Sequence, residues 1–236
     1  MESNREEVNG CRNSQSQRAG DFYKRLSPAA FKDLTSMEFP QSYAANVVLF
    51  AEKQQTKGVF IVLDGEVRLS MNSSDGRRLS LRIARKGEIL GLSSALSGRP
   101  YEFTAETLYP AKIAPISRQD LLGFVARHPE VYPAVIEELS RHVTLACDQL
   151  RTVALSASAP EKLARLLLDW SDDQSKESGG RVRFSMTHEE IGEFIGASRE
   201  TVTRTLSNFK TRQLVACQGS MLTINSRTAL ASYAGA

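Results

Sequence analysis

Cysteine, histidine and tryptophan are scarce in this sequence: three, three and one in 236 residues. The cysteines, Cys11, Cys147 and Cys217, are odd in number, far apart and without any C-x-x-C pair. That spacing excludes a disulfide framework or a tetrahedral zinc site within one chain, so they read as reduced thiols with no structural metal. No run approaches the roughly 18 consecutive apolar residues of a membrane helix. The opening MESNREEVNG lacks the basic start and apolar block of a leader peptide. A cytoplasmic protein without membrane contact is therefore expected. No Ser/His/Asp, Cys/His, metal-ligand or P-loop grouping is present, and the three histidines stand apart from catalytic partners, so an enzyme is not expected. One sign of charge does not dominate either: 30 Lys and Arg against 27 Asp and Glu leave +3, too little for bulk attraction to assign a nucleic-acid partner.

What is present is a clear change of pattern along the chain. Residues 1–18 are polar, rich in Asn, Ser, Gln and Arg, and predict a disordered tail. A short helical lead follows, with Phe22, Leu26, Phe31 and Leu34 at near-helical spacing and Ser27-Pro28 as a second helix start. From Met37 to Ser117 the segments VVLFAE, GVFIVLDGEVRLSM, RRLSLRIARKGEILG and AKIAPIS read as short strands of an antiparallel β domain. Asp64-Gly65 and Asp75-Gly76 are candidate hairpin turns, and the spacing favours a sandwich or barrel with an interior. Residues 118–155 read as helix. Within them Ile136, Leu139, Val143, Ala146, Leu150 and Val153 repeat at alternating steps of three and four, a heptad seam. A two-fold partner would cover so narrow a stripe; packing on the core of its own domain is the alternative. SASAPEK, from Ser156, reads as a hinge with Ser158 and Glu161 at capping-box spacing. The helix after it runs through LARLLLDW to a loop at DDQSKESGG, with Trp170 in the core.

The strongest signal is MTHEEIGEFIGASRETVTRTLSNFKTRQLV, residues 186–215. Thr187 and Glu190 form a capping box for a short helix whose buried face carries Ile191 and Ile195. Gly196 supplies a tight turn, Ser198 caps a second helix, and Val202, Leu206 and Phe209 give that helix its inner face. Arg199, Glu200, Thr203 and Arg204 are left outward. Arginine can donate twice to guanine and a carboxylate can accept from cytosine, so this set suits a DNA major groove. Thr187, His188, Ser198 and Thr201 sit where helix starts approach backbone phosphates. LVACQGSMLTINS, turning near Gln218-Gly219, and RVRFS supply a wing. Between Arg181 and Arg227 basic residues outnumber acidic ones, which permits DNA contact without proving it.

With these residues in view, the chain resembles the Crp/Fnr superfamily of bacterial transcription regulators, most specifically in EEIGEFIGASRETVTRTL and over nearly everything from residue 20 onward. The resemblance implies an α+β chain: an N-terminal cyclic-nucleotide-binding-like β-roll (a double-stranded jelly roll), a long dimerisation helix and a C-terminal winged helix-turn-helix. The corresponding domains are a tail over 1–18, a β-roll effector domain over 19–128, the dimerisation helix over 129–155 and the DNA-binding domain over 156–236. LDGEV (Leu63 to Val67) and KGEILGLSSAL (Lys86 to Leu96) are similar to the family's β-roll turn and effector-loop segments. The family's base-reading residues are carried by Arg199, Glu200 and Arg204. This implies a homodimer on double-stranded DNA with TGTGA-like half-sites in a palindrome, and RNA polymerase as a partner. The Fnr branch has a serine at the position of Thr203 but lacks the equivalent of Arg199, so the resemblance is nearer the cyclic-AMP receptor branch.

The sensor departs from that pattern. The family's cyclic-AMP binders follow the loop glycine with glutamate, but Gly91 is followed here by Leu92. Their Arg-Ser pair is replaced by Arg99 and Pro100, and the Thr-Ser pair of the dimer helix by Ala146 and Cys147. A buried nucleotide would leave polar atoms unpaired against such a set, so tight cyclic-AMP binding is not expected and no cofactor is identified. Three cysteines exclude the four-cysteine iron-sulfur mechanism of the Fnr type within one subunit. His128 reads as a helix-end residue and His142 as a flank of the seam, rather than as haem ligands. Cys147 reads as inert packing, with a redox role as the alternative. The rival to a DNA-binding regulator is a cyclic-nucleotide-responsive module acting on a protein partner; the winged segment argues against it.

Overall fold

The computed structural model describes residues 21–155, 158–178, 181–183, 186–218 and 221–234. The expected tail over 1–18, Ser156 and Ala157 of the hinge, Phe184 and Ser185 before the motif, and Gly219 of the wing turn lie outside the described residues. The chain divides into two compact units, residues 1–72 with 81–145, and residues 73–80 with 146–236. This division cuts the long helix at Leu145/Ala146, whereas the sequence places domain edges at 128/129 and 155/156.

The first unit opens on two short helices, α1 (Asp21–Lys24) and α2 (Pro28–Ser36). The Ser27 hydroxyl accepts from the Ala30 amide, and Pro28 occupies the first turn, where its missing N–H has no helical partner to lose. Phe22, Leu26, Phe31 and Leu34 are all buried, as their spacing predicts. Two four-stranded sheets follow. One has the order β1 (Gln41–Tyr43), β8 (Ala111–Ser117), β3 (Gly58–Asp64), β6 (Ile89–Leu90). The other has the order β2 (Val48–Phe50), β7 (Thr104–Thr107), β4 (Val67–Asn72), β5 (Arg78–Ala84). β3 runs antiparallel to β8 from Gly58 opposite Ser117 to Asp64 opposite Lys112. β4 runs antiparallel to β7 from Val67 opposite Thr107 to Ser70 opposite Thr104.

This topology corrects one turn. Gly76, with φ 84°, does sit at the tip between the neighbouring strands β4 and β5, its amide donating to the Ser73 carbonyl at 3.0 Å. Gly65 also has positive φ, 89°, but β3 and β4 belong to different sheets, so Asp64-Gly65 is a crossing between sheets and not a hairpin. A Cβ there would lie 2.8 Å from that of Ala111, so the crossing also needs the missing side chain. β1 and β7 carry no strand signal in the sequence because QSY and TAET are short and mostly polar.

α3 (Leu92–Ser97) fills the loop between β6 and β7, held between left-handed Gly91 and Gly98. Leu92 is buried among Phe22, Leu34, Ile61, Ala95 and Phe124. A second cluster, with Phe50, Val62, Leu69, Leu90, Tyr101 and Ile113, packs within the sheets. Here the Tyr101 ring stacks on Phe50 at 4.0 Å and its hydroxyl donates to the Gly58 carbonyl at 2.8 Å. α4 (Arg118–Arg127), capped by Ser117, leads through a tight turn at Pro129–Val131 into α5 (Tyr132–Leu150).

The second unit continues from α5 into a π-helical stretch, Arg151–Leu155. Within it the Val153 carbonyl accepts from Lys162 Nζ at 2.7 Å. α6 (Ala159–Ser178) is longer than expected, passing through the predicted loop DDQSKES. β9 (Arg181–Arg183), α7 (His188–Ile195), α8 (Arg199–Thr211), β10 (Val215–Gln218), β11 (Met221–Ile224) and α9 (Arg227–Tyr233) complete it. The three strands form one antiparallel sheet in the order β10, β11, β9.

Candidate nucleic-acid interface

α7 and α8 are built as their sequence demands. The Thr187 hydroxyl accepts from the Glu190 amide at 3.2 Å, and the Glu190 carboxylate accepts from the Thr187 amide at 2.8 Å, closing the capping box. Gly196, at φ 61° and ψ 40°, ends α7 in the left-handed conformation that a side chain would resist. Two residues on, the Ser198 hydroxyl accepts from the Thr201 amide at 3.3 Å and starts α8. Val202, Thr205, Leu206 and Phe209 are buried, as are Ile191, Phe194 and Ile195 of α7. Trp170, from α6, is buried edge-on against Phe194 with ring centroids 5.1 Å apart.

Opposite that buried face, Arg199, Glu200, Thr203 and Arg204 are all exposed. Their spacing of i, i+1, i+4 and i+5 places them on one side of the first turns of α8. Hydrogen bonds at the helix start, from its own backbone amide and from Ser198, hold the Glu200 carboxyl below the usual carboxylate range. It therefore presents an acceptor at neutral pH. Of the residues expected to meet phosphates, Thr187 and Ser198 are exposed and engaged in capping, and Thr201 is half-buried. His188 does something the sequence did not suggest: its Nδ1 lies 2.7 Å from the Thr203 hydroxyl, joining the two helices. Gly192 was also missed. A Cβ there would fall 2.4 Å from the Ala197 carbonyl oxygen, so the glycine sets how closely the turn folds onto α7.

Two family models match the chain: a Crp-like helix-turn-helix domain over residues 161–233 and a cyclic nucleotide-binding domain over residues 40–128. The chain belongs to the Crp/Fnr superfamily. Its relatives include a CRP-like cAMP-activated global transcriptional regulator of Mycobacterium tuberculosis, 27% identical over 92% of this chain and 97% of the relative. Another is the nitrogen fixation regulation protein FixK of Bradyrhizobium diazoefficiens, 27% identical over 81% of this chain and 80% of the relative. Among solved structures, FixK2 from Bradyrhizobium japonicum aligns with a TM-score of 0.76 at 23% identity, covering 84% of this chain and 98% of its own. The c-di-GMP responsive regulator CLP from Xanthomonas campestris aligns at 0.74 and 18% identity, over 85% of this chain and all of its own. This is a Crp/Fnr-type transcription regulator with a helix-turn-helix DNA-binding domain, in a family that is not enzymatic.

The effector residues of a Crp/Fnr regulator can be tested against this geometry. Gly91 keeps the left-handed conformation, φ 76°, and lies against the Tyr101 ring, whose Cε1 would be 2.7 Å from an added Cβ. Leu92 is buried in the core, while Arg99 and Pro100 are exposed. Ala146 and Cys147, on α5, are also exposed. The more buried cations are engaged: Arg68 with Glu106 at 2.9 Å and Arg82 with Glu88 at 2.5 Å. The two histidines of the first unit are engaged as well, His128 with Asp33 at 3.0 Å and His142 with Glu138 at 3.0 Å.

Along α5, Ile136, Val143 and Leu150 are exposed at 65%, 63% and 64%, large apolar side chains left in water at seven-residue intervals. Ala146 is exposed too, and Val153 is half-buried. Leu139 instead packs against the core of the first unit. No helix among the described residues is long and apolar enough to cross a membrane.

Proposed function

We propose that this regulator is a homodimer that places α8 of each subunit in successive major grooves of a palindromic operator with TGTGA-like half-sites. The observation that carries this reading is the exposed set Arg199, Glu200, Thr203 and Arg204 on a helix whose apolar residues are all turned inward. In these roles Arg199 and Arg204 donate to guanine and Glu200 accepts from cytosine, while Thr187, Ser198 and Thr201 meet the backbone. The exposed Ile136, Val143 and Leu150 support a two-fold seam along α5. Two recognition helices about 34 Å apart then require a palindrome.

Cyclic AMP is not the controlling ligand in this reading, on the ground that Leu92 replaces a carboxylate and Tyr101 lies against Gly91. The β-roll biases a two-state dimer, and the hinge from Ser156 to Pro160 passes that bias to the DNA-binding domains. The protein works in the cytoplasm, with RNA polymerase as its protein partner. The test is a titration of duplexes carrying every single base change. Arg199→Ala should lose about 1–3 kcal/mol and discrimination at one base pair. Equal weakening on all sequences would remove Arg199 from base reading.

A further inference from the structure

Thr203 stands in the middle of the exposed set, and its hydroxyl is held from two sides. Oγ1 lies 2.9 Å from the Arg199 carbonyl oxygen, one turn back on α8, and 2.7 Å from Nδ1 of His188 on α7. Two oxygens at such a separation repel unless a proton lies between them, and the carbonyl has none to give. The single hydroxyl proton is therefore committed to Arg199. Nδ1 of His188 must then be the donor, filling a lone pair of Thr203. Thr205 and Thr211 make the same backbone bond, to Thr201 and Ser207, but Thr203 is clamped from the neighbouring helix as well.

A hydroxyl so engaged cannot donate to a base, and its rotamer is fixed by bonds to both helices. The γ-methyl is the branch of Thr203 that takes no part in these bonds, on a residue that is exposed. Among the groups on the major-groove edges, the only apolar one is the C5-methyl of thymine. We propose that His188 is a positioning residue that takes up the Thr203 hydroxyl, so that Thr203 reads a thymine by methyl contact. This rests on α8 being the groove helix, and it gives His188 a role in specificity in place of a phosphate contact.

The test uses the full-length protein on a duplex it has itself selected from a random pool, with each thymine replaced in turn by deoxyuridine, which lacks the methyl. Wild type should weaken about three- to fivefold at one position per half-site, the scale of one buried methyl. Thr203→Val, which keeps the methyl and loses the hydroxyl, should retain that sensitivity; Thr203→Ser should abolish it. His188→Ala should reduce the thymine-to-uracil ratio, and His188→Asn, which restores an N–H near the Nδ1 position, should recover it. A role confined to folding would lower binding to both duplexes alike and leave the ratio unchanged. Retention in Thr203→Ser with loss in Thr203→Val would show that the hydroxyl reads the base and would overturn the proposal. Binding by wild type with no methyl-sensitive thymine would overturn it while leaving the DNA-binding reading intact. Failure of wild type to select any duplex would instead remove the reading on which it rests.

Discussion

The Glu138 carboxylate lies 3.0 Å from Nε2 of His142, one helical turn further along α5, and 2.5 Å from the Arg141 guanidinium. Arg141 reaches on to Glu88 at 3.1 Å, and Glu88 also accepts from Arg82. Burial opposes ionisation of Glu138, but the hydrogen bonds from His142 and Arg141 outweigh it and lower its pKa from 4.5 to about 2. Glu88 is lowered in the same way: the charges of Arg82 and Arg141 overcome its burial. A carboxylate depressed on folding contributes stability that is present above its unfolded pKa and lost as pH falls through the folded one. The first unit should therefore lose on the order of 3 kcal/mol from Glu138 between about pH 5 and pH 2. Denaturant melts across that window check it, and Glu138→Gln should flatten this part of the profile.

Thr187→Ala removes the cap that both helix and motif depend on and should cost about 1 kcal/mol of stability in the second unit. Thermal melts of the two proteins measure it, and Thr187→Ser should restore most of the loss. A change within error would mean that water serves the Glu190 amide equally well.

Gly192→Ala introduces a Cβ where the Ala197 carbonyl oxygen would stand only 2.4 Å away. The turn must move outward and take the start of α8 with it. A loss of about 1–3 kcal/mol in stability is expected from such overpacking, with weakened DNA binding measured on the same protein. Unchanged binding would show that the turn yields without displacing α8.

Val143→Asp puts a charge on the exposed stripe of α5, where it is harmless in a monomer and costly in a two-fold seam. Sedimentation should show a shift from dimer to monomer, and affinity for a full palindrome should fall on the order of tenfold or more because the two half-sites are no longer bound as one. A wild-type protein that is already monomeric would remove the seam from the account.

The sequence made the DNA-binding helices legible because their signals are local. Thr187 with Glu190, Gly196, and Ser198 with Thr201 are all decided within one turn, and the 3.6-residue period of Val202, Leu206 and Phe209 leaves Arg199 and Arg204 outward with no further information. What was hidden depends on partners distant in the chain. His188 and Thr203 are fifteen residues apart and meet only when α7 folds onto α8. β7 is four residues of which three are polar, recognisable only by the strands on either side of it. The apolar stripe of α5 shows both cases at once. Ile136, Val143 and Leu150 are exposed at seven-residue intervals, but Leu139 is drawn into the core of the first unit. Val153 falls in the π-helical stretch, where Thr152 bonds back to the Asp148 carbonyl and the regular period ends. The sensor was least legible: the Tyr101 ring against Gly91 follows from no motif.

The most direct test of the account is selection of binding sites from random duplex DNA by the purified full-length protein, with and without cyclic AMP. A palindrome of TGTGA-like half-sites is expected, recovered equally in both. Recovery only with the nucleotide would contradict the reading of Gly91, Leu92, Arg99 and Tyr101, and a site without two-fold symmetry would contradict the paired entry of two α8 helices.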